Sequence, residues 1–174
     1  MNDREANYLI HLSDIKKAEG RIREHIHRTE LITSETLDSM TGTSLFLKPE
    51  NFQKTGAFKI RGALNAVLTL EVEKGQRGII TASSGNHGQA VALAGTISGY
   101  PATVIMPENA SPAKIDAVRG YGAEVVFCGT SSKERIDMAE DLCRKKGLTF
   151  IHPFNDPLVM AGQGTIGLEI LQDL

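Results

Sequence analysis

The chain has 174 residues, of which 41% are hydrophobic and 23% charged, and its formal net charge is -2. This length suits one sizeable domain or two small ones, and a near-neutral chain with 5% aromatic residues lacks the usual features of nucleic-acid binding. No apolar stretch reaches membrane-spanning length, and the start MNDREANYLIHL lacks the long apolar core of a signal peptide. We therefore expect a soluble metabolic enzyme with no nucleic-acid or membrane partner.

The first predicted elements are a helix, a strand and a second helix. Residues 13–28 have an amphipathic helical pattern with Ser13 as the expected N-cap. The run SLFLKPENF, residues 44–52, predicts a strand that ends at Pro49. A turn at residues 54–56 and a helix should follow it.

The second half of the chain alternates short apolar runs with helical patterns. The predicted strands are GIITAS, ATVIMP, EVVFCG and LTFIHP, and the predicted helices cover residues 89–99, 113–121, 133–146 and 156–171. Strands and helices that alternate in this way indicate βαβ units. We therefore predict an α/β fold whose parallel sheet carries helices on both faces, with a complete four-stranded unit at residues 74–150.

The cysteines and histidines give no sign of a metal site. Cys128 and Cys143 are widely spaced and form no CxxC pair, which predicts reduced thiols and a cytoplasmic location. His25 and His27 point to different faces of the predicted helix, so they cannot share a metal ion. We predict no metal ligands in this chain.

One motif with chemical potential is KTGAFKIRG at residues 54–62. It sets Lys59 directly after an aromatic residue, near the predicted start of a helix. A lysine held against apolar neighbours can lose its charge and act as an amine nucleophile toward an aldehyde cofactor. The alternative is an ordinary surface lysine on a solvated helix face.

A second motif, TASSGNHGQA at residues 81–90, follows a predicted strand and opens a helix. Such a loop exposes backbone N–H groups at the positive end of a helix dipole, which suits an anion such as a substrate carboxylate. Ser83, Ser84, Asn86 and His87 add side-chain donors and acceptors. The alternative is a strand-to-helix turn with a serine or asparagine N-cap.

Together these motifs resemble the N-terminal half of a known family. Four stretches carry the resemblance: LFLKPENFQKTGAFKIRGALNAV, TASSGNHGQAVALAG, MPENASPAKIDAVRGYGAEVV and HPFNDPLVMAGQGTIGLEIL. The chain resembles the fold-type II pyridoxal-phosphate enzymes, with the tryptophan synthase β-like fold, and within them the serine/threonine dehydratase and serine racemase group. The resemblance implies pyridoxal phosphate as cofactor and a small amino acid as substrate.

The resemblance also implies roles for residues of both motifs. Lys59 would form the internal aldimine with the cofactor, Phe58 would pack against its ring, and Asn86 would hydrogen-bond its phenolic oxygen. The substrate carboxylate would bind the loop formed by Ser83, Ser84, Gly85, Asn86 and His87. The freed Lys59 would take the α-proton, and loss of the β-hydroxyl would convert L-threonine to 2-oxobutanoate, or L-serine to pyruvate, with release of ammonium.

Two further roles follow from the racemase-like members of the group. In those proteins a serine at the position of Ser84 is proposed to act on the opposite face of the cofactor, so serine racemisation is an alternative activity; a loop hydroxyl that donates to a carboxylate is the simpler role. Lys54, Thr55, Gln89 and Tyr121 resemble positions that line a nucleotide effector site. A homodimer or higher oligomer is implied for a full-length member.

Length is the main departure from the family, whose chains are about twice as long. The resemblance implies that residues 1–73 and 151–174 belong to an incomplete large domain around the small α/β domain at 74–150. The glycine-rich loop for the cofactor phosphate and the partner of the pyridine nitrogen would lie beyond Leu174. Two hypotheses follow: a piece of a working dehydratase, or a catalytically inactive truncated product that retains the α/β domain.

Overall fold

Strands and helices alternate from residue 79 onward, and residues 9–77 form helices with irregular connections. The computed structural model describes residues 9–174. Within that range the helices are α1 (Leu12–Ile22), α2 (Glu35–Thr41), α3 (Lys59–Leu68), α4 (Val72–Arg77), α5 (Asn86–Ser98), α6 (Pro112–Gly120), α7 (Ser132–Lys146) and α8 (Pro157–Asp173). The strands are β1 (Ile79–Ala82), β2 (Ala102–Met106), β3 (Glu124–Phe127) and β4 (Thr149–Phe150). Short 3₁₀ helices at Glu50–Phe52 and Lys54–Gly56 precede α3.

The four strands form one parallel sheet in the order β3-β2-β1-β4. Strand β1 pairs on one side with β2, with Ile79 opposite Ala102, and on the other side with β4, with Ile79 opposite Thr149. Consecutive strands are joined by helices, since parallel strands cannot be connected by a tight hairpin. The predicted parallel α/β architecture is confirmed.

Side chains of β1 and β2 alternate between two apolar layers, as the pleat of a strand requires. Val104 and Met106 belong to the layer that contains the buried residues of α3 and α5. Ile80 and Ile105 belong to the opposite layer, where they pack with Ala139 of α7. Helices therefore cover both faces of the sheet, as predicted, and the central strands are buried on both sides.

Helix α3 packs against both α5 and α8. Its contact with α8 is close because glycines face each other: a Cβ atom on Gly62 would lie 2.6 Å from the Val159 carbonyl oxygen, and one on Gly162 would lie 2.8 Å from the Gly62 Cα. Real side chains do not fit at such distances, so both positions require glycine. Because α3 begins at Lys59, this packing fixes the backbone of that lysine.

Replacing Gly162 by alanine should therefore destabilise the protein, by about 1–3 kcal/mol from overpacking. Gly167→Ala is the matched control, because Gly167 lies on the same helix and no atom lies within 4 Å of the place that an added Cβ would take. The control should instead gain about 0.5–1 kcal/mol, the usual advantage of alanine over glycine in a helix. Urea denaturation of the two variants measures the difference, and equal free energies of unfolding would contradict the close contact.

The predicted N-terminal helix differs from the observed one at both ends. Helix α1 begins at Leu12 with His11, not Ser13, as the N-cap, and the His11 N–H donates to the Asp14 carboxylate at 3.0 Å. The helix ends at Ile22, and His25 N–H closes a turn on the Ile22 carbonyl at 2.9 Å. The apolar spacing continues past the last helical residue, so periodicity alone extended the predicted helix too far.

The strand predicted at residues 44–52 is not formed. Within the described residues this segment makes one isolated antiparallel bridge, between Leu47 and Ile32, before the 3₁₀ helix at Glu50–Phe52. Pro49 lacks the N–H that a continuing ladder would use. Helices α2 and α4 were not predicted, although Ser34 caps the start of α2.

The predicted domain boundary between residues 73 and 74 falls inside α4, and the division into domains stays a prediction. Among residues 9–174, no helix combines the length and apolarity needed to cross a membrane.

Candidate active site

Residues 83–85 connect β1 to α5 and leave the start of that helix open. Gly85 is the N-cap and offers no side chain to the helix, so the alternative of a serine or asparagine N-cap is wrong. The first N–H groups of a helix have no intrahelical acceptor. No other described residue accepts a hydrogen bond from the N–H groups of Asn86, His87 or Gly88. This helix terminus can therefore bind an anion.

Lys59, the first residue of α3, is half-buried rather than solvated. Its Nζ donates to the Pro153 carbonyl oxygen at 2.8 Å and lies 5.2 Å from the centre of the Phe58 ring. Burial lowers the pKa of Lys59 below its ordinary value, because desolvation disfavours the ammonium form. The side chain therefore has more neutral amine at a given pH than an exposed lysine, as nucleophilic or base chemistry requires.

A cavity at the end of β1 has a volume of about 160 Å³. It is lined by Ala82, Ser83, Ser84, Ser132, Arg135, Ile136, Pro153 and Phe154. Ser84 is exposed, and Ser83 accepts a hydrogen bond from the Gly85 N–H at 3.2 Å. The Pro153 carbonyl joins the two motifs, since Pro153 lines the cavity and its oxygen accepts from Lys59.

Arg135 is a cavity residue that was not predicted. Only 6% of it is exposed, its Nη2 donates to Ser132 Oγ at 3.1 Å, and its buried Nη1 has no partner among the described residues. A buried guanidinium group that lacks a carboxylate partner lowers the stability of the protein. An anion bound in the cavity would offset this loss, so Arg135 favours anion binding there. The sequence carried one signal: Arg135 shares the helical spacing of Ala139 and Leu142 on the apolar face of α7.

Arg135→Met is expected to raise the free energy of unfolding by about 1–3 kcal/mol, because it removes a buried charge that lacks a full set of partners. Arg144→Met, on the exposed side of the same helix, should change it by less than about 0.5 kcal/mol. Chemical denaturation in a buffer without carboxylate ions measures both. A destabilised Arg135→Met protein would contradict a net cost of burying this incompletely paired guanidinium group.

His87 is buried, and its side chain does not face solvent. Its Nε2 lies 3.1 Å from the Ile151 carbonyl oxygen, which also accepts a hydrogen bond from Thr81 Oγ1 at 2.8 Å. Burial, followed by the nearby charge of Lys59, lowers the pKa of His87 to about 4. The imidazole is therefore neutral at neutral pH, and Nε2 is the nitrogen that donates to the carbonyl.

The other predicted cofactor contacts are open to a ligand. Phe58 is 38% exposed, and Asn86 is exposed at the first position of α5. No side chain among residues 9–174 hydrogen-bonds the Asn86 amide.

The four residues of the predicted nucleotide site lie on elements around α5. Lys54 and Thr55 belong to a 3₁₀ helix that contacts α5, Gln89 lies on α5, and Tyr121 ends α6, which also packs against α5. Thr55 has a positive φ of 63°, and its buried hydroxyl has no partner among the described residues. A nucleotide site here stays a prediction. Within residues 9–174, no group of three or more His, Cys, Asp or Glu side chains is arranged to hold a metal ion.

Known proteins with similar sequence and structure span this whole region. The chain matches the family described as "Pyridoxal-phosphate dependent enzyme" over residues 22–174. It is 49% identical over 166 residues to the L-threonine ammonia-lyase of Thermotoga maritima, covering 95% of this chain and 41% of that protein. It is 44% identical to the serine racemase of Arabidopsis thaliana, covering 96% of this chain and 50% of that protein.

The structure of maize serine racemase superposes with a TM-score of 0.94 at 40% identity, covering 96% of this chain and 51% of that chain. The superposition confirms the predicted fold, and the chain spans about half the length of the curated relatives that it matches.

Proposed function

Because the chain belongs to the family of pyridoxal-phosphate dependent enzymes, we propose that it binds pyridoxal phosphate through Lys59 and contributes to the deamination of L-threonine or L-serine. The observation that carries the proposal is the half-buried Lys59 amine, whose pKa burial lowers and which donates to the carbonyl of Pro153, a residue that lines a cavity together with Ser83 and Ser84. The similarity to L-threonine ammonia-lyases supports the substrate class.

The residues of this chain suit the cofactor. An aldehyde needs an amine that is neutral part of the time, and Lys59 meets that condition. The exposed amide of Asn86 is available to a phenolic oxygen, and the half-exposed Phe58 ring is available for packing. When bound, pyridoxal phosphate supplies an electron sink that stabilises negative charge at the α-carbon of an amino acid.

Residues of this chain bind the substrate carboxylate and transfer the α-proton. The open N–H groups at the start of α5, with the hydroxyls of Ser83 and Ser84, bind the substrate carboxylate. Arg135 adds positive charge to the same cavity and favours an anionic ligand. Lys59 accepts the proton from the α-carbon, and departure of the β-hydroxyl group followed by hydrolysis gives a 2-oxo acid and ammonium.

Serine racemisation is the second candidate, and the exposure of Ser84 favours it. Inversion requires a proton to be returned from the face opposite Lys59, and a cavity hydroxyl that is open to the substrate can take that role. The similarity to the Arabidopsis serine racemase supports the same possibility. Chiral analysis separates the two activities, because a racemase forms D-serine, whereas a dehydratase forms pyruvate.

Several further properties are proposed from the resemblance alone. They are a nucleotide effector at Lys54, Thr55, Gln89 and Tyr121, assembly into a homodimer or higher oligomer, and the division into a small domain at 74–150 and parts of a large one. A cytoplasmic location is proposed from the cysteine usage.

The proposal is tested by adding pyridoxal phosphate to the purified chain, recording the cofactor absorbance, and then adding L-threonine or L-serine. We expect a shift in the cofactor spectrum and the formation of 2-oxobutanoate or pyruvate. A spectral shift without any 2-oxo acid or D-serine would overturn the proposed activity and support the alternative of an inactive chain that retains the fold. Absence of any spectral shift would overturn cofactor binding as well.

A further inference from the structure

Two backbone carbonyls, two residues apart, connect the loop motif to the lysine motif. The Ile151 carbonyl accepts hydrogen bonds from Thr81 Oγ1 at 2.8 Å and from His87 Nε2 at 3.1 Å. The Pro153 carbonyl accepts from Lys59 Nζ at 2.8 Å. The first residue of this segment, Ile151, is therefore held by side chains of β1 and α5, and the last, Pro153, contacts the lysine amine of α3.

Contacts of His152 stiffen this segment. Its Nδ1 accepts the backbone N–H groups of Phe154 and Asn155, at 3.2 Å and 2.8 Å. Its ring meets the Phe150 and Phe154 rings edge-on, with centroids 5.7 Å and 4.6 Å apart. These contacts restrict the backbone on both sides of His152, so a shift of the Ile151 carbonyl is expected to be passed on to the Pro153 carbonyl.

The His87 imidazole is committed to this segment. The residue is 4% exposed, and its Nδ1 is buried without a partner among the described residues. A neutral imidazole that donates through Nε2 brings no positive charge to a carboxylate. The backbone N–H of His87, in contrast, remains open at the start of α5.

We propose that His87 is a positioning residue: with Thr81 it anchors the Ile151 carbonyl and thereby fixes the Pro153 carbonyl that holds the Lys59 amine. Its significance for catalysis rests on the role of Lys59 in the proposed function. Under this proposal the backbone N–H of His87 binds the substrate carboxylate, and the His87 side chain helps to position the Lys59 amine.

The expected effect on Lys59 has a definite sign. A carbonyl that accepts a hydrogen bond from an ammonium group favours the charged form. Displacing the Pro153 carbonyl should therefore lower the pKa of Lys59 further and raise the fraction of neutral amine. Since one hydrogen bond contributes about 0.5–1.5 kcal/mol, the acylation rate of Lys59 at neutral pH should rise about twofold to thirteenfold.

Acetic anhydride is a suitable probe because it acylates neutral amines and needs no cofactor site. Labelling of Lys59 would be followed by peptide mass spectrometry across a pH series, with the exposed Lys74 in the same sample as reference. We expect His87→Leu and Thr81→Val to move the Lys59 profile to lower pH. His87→Gln, whose amide can donate from a similar position, should stay close to the wild-type profile.

Thr41→Val is the control, because Thr41 Oγ1 donates to the Leu37 carbonyl in the distant helix α2. If His87→Leu fails to fold, the near-isosteric Thr81→Val change tests the same carbonyl. Unchanged Lys59 profiles in His87→Leu and Thr81→Val would overturn the inference, as would a glutamine variant that behaves like the leucine variant. The proposed function fails separately, if pyridoxal phosphate does not modify Lys59 in the wild-type chain.

Discussion

Replacing Lys59 by arginine is expected to abolish covalent capture of pyridoxal phosphate and to lower formation of 2-oxo acid by at least about a thousandfold. An arginine stays protonated at any accessible pH, so it can neither attack an aldehyde nor accept the α-proton. Its positive charge and length resemble those of lysine, so general electrostatics change little. The measurements are the cofactor absorbance and the rate of 2-oxo acid formation.

The pH dependence of cofactor capture also tests whether Lys59 is the reacting amine. Burial lowers the pKa of Lys59, so the neutral amine becomes available at a lower pH than for an exposed lysine. Capture should therefore rise with pH and reach its half-maximum at a lower pH than is usual for an exposed lysine. Lys74, which pairs with Glu71 on the surface, offers a matched exposed lysine. Lys74→Arg is the control and should leave capture unchanged. Capture that survives Lys59→Arg would show that another amine holds the cofactor.

Replacing Arg61 by methionine is expected to lower the free energy of unfolding by about 3–5 kcal/mol, because it leaves the largely buried Glu50 without its ion-pair partner and Glu169 with Lys48 alone. Arg61 is fully buried, and its guanidinium group bonds both oxygens of Glu50, at 2.8 Å each, and both oxygens of Glu169, at 2.6 Å and 2.9 Å. Lys48 adds a second cation, 2.7 Å from Glu169. These four residues carry two positive and two negative charges, and Lys48 also lies 3.9 Å from Asp173, which pairs with Arg28.

The carboxylates depend on this pairing. Burial alone would raise the pKa of Glu50, but hydrogen bonds from Arg61 and Thr29 outweigh it, and the pKa of Glu50 is lowered. Because the native state thus favours the ionised carboxylate, the stability from this group is present at neutral pH and is lost as the pH falls toward the native pKa. The cluster also ties α3 to α8 and to the 3₁₀ helix at Glu50–Phe52, so it supports the position of Lys59 at the start of α3.

Lys145→Met is the control for this prediction, because the Lys145–Asp141 pair at 2.6 Å lies at the surface, away from the cluster, and should contribute less than about 1 kcal/mol. Urea denaturation of the three proteins gives the comparison. If Arg61→Met unfolds too readily for analysis, Glu169→Gln keeps the shape of the side chain and still removes one charge. Equal losses of unfolding free energy for Arg61→Met and Lys145→Met would contradict the buried cluster.

The parallel sheet and the loop at its edge were predictable because local patterns determine them. Short apolar runs separated by helical spacing fix the order of strands, and residues 83–85 follow a strand directly. Lys59 could be singled out from the aromatic residue before it and from the family resemblance. The lowered pKa of Lys59 could not be predicted, because it depends on burial by segments distant in sequence, such as the one that contains Pro153.

The unpredicted features arise from contacts distant in sequence. Arg61 pairs with Glu169 across 108 positions, and Lys59 reaches Pro153 across 94, so no local spacing could identify either partner. Arg135 lies on the apolar side of its helix, where a charge is unexpected. Its position is explained only by the cavity that it lines, and the sequence does not show that cavity. The predicted strand at residues 44–52 failed because its only ladder partner within the described residues is Ile32.

The central claim is that Lys59 is the amine that binds the cofactor, and site-resolved trapping tests it most directly. The chain would be incubated with a limiting amount of pyridoxal phosphate, reduced with borohydride, digested, and mapped by peptide mass spectrometry. The structure predicts that the reduced adduct is concentrated on Lys59, well above the exposed Lys74. Modification spread evenly over the surface lysines, with none of this preference for Lys59, would contradict the claim.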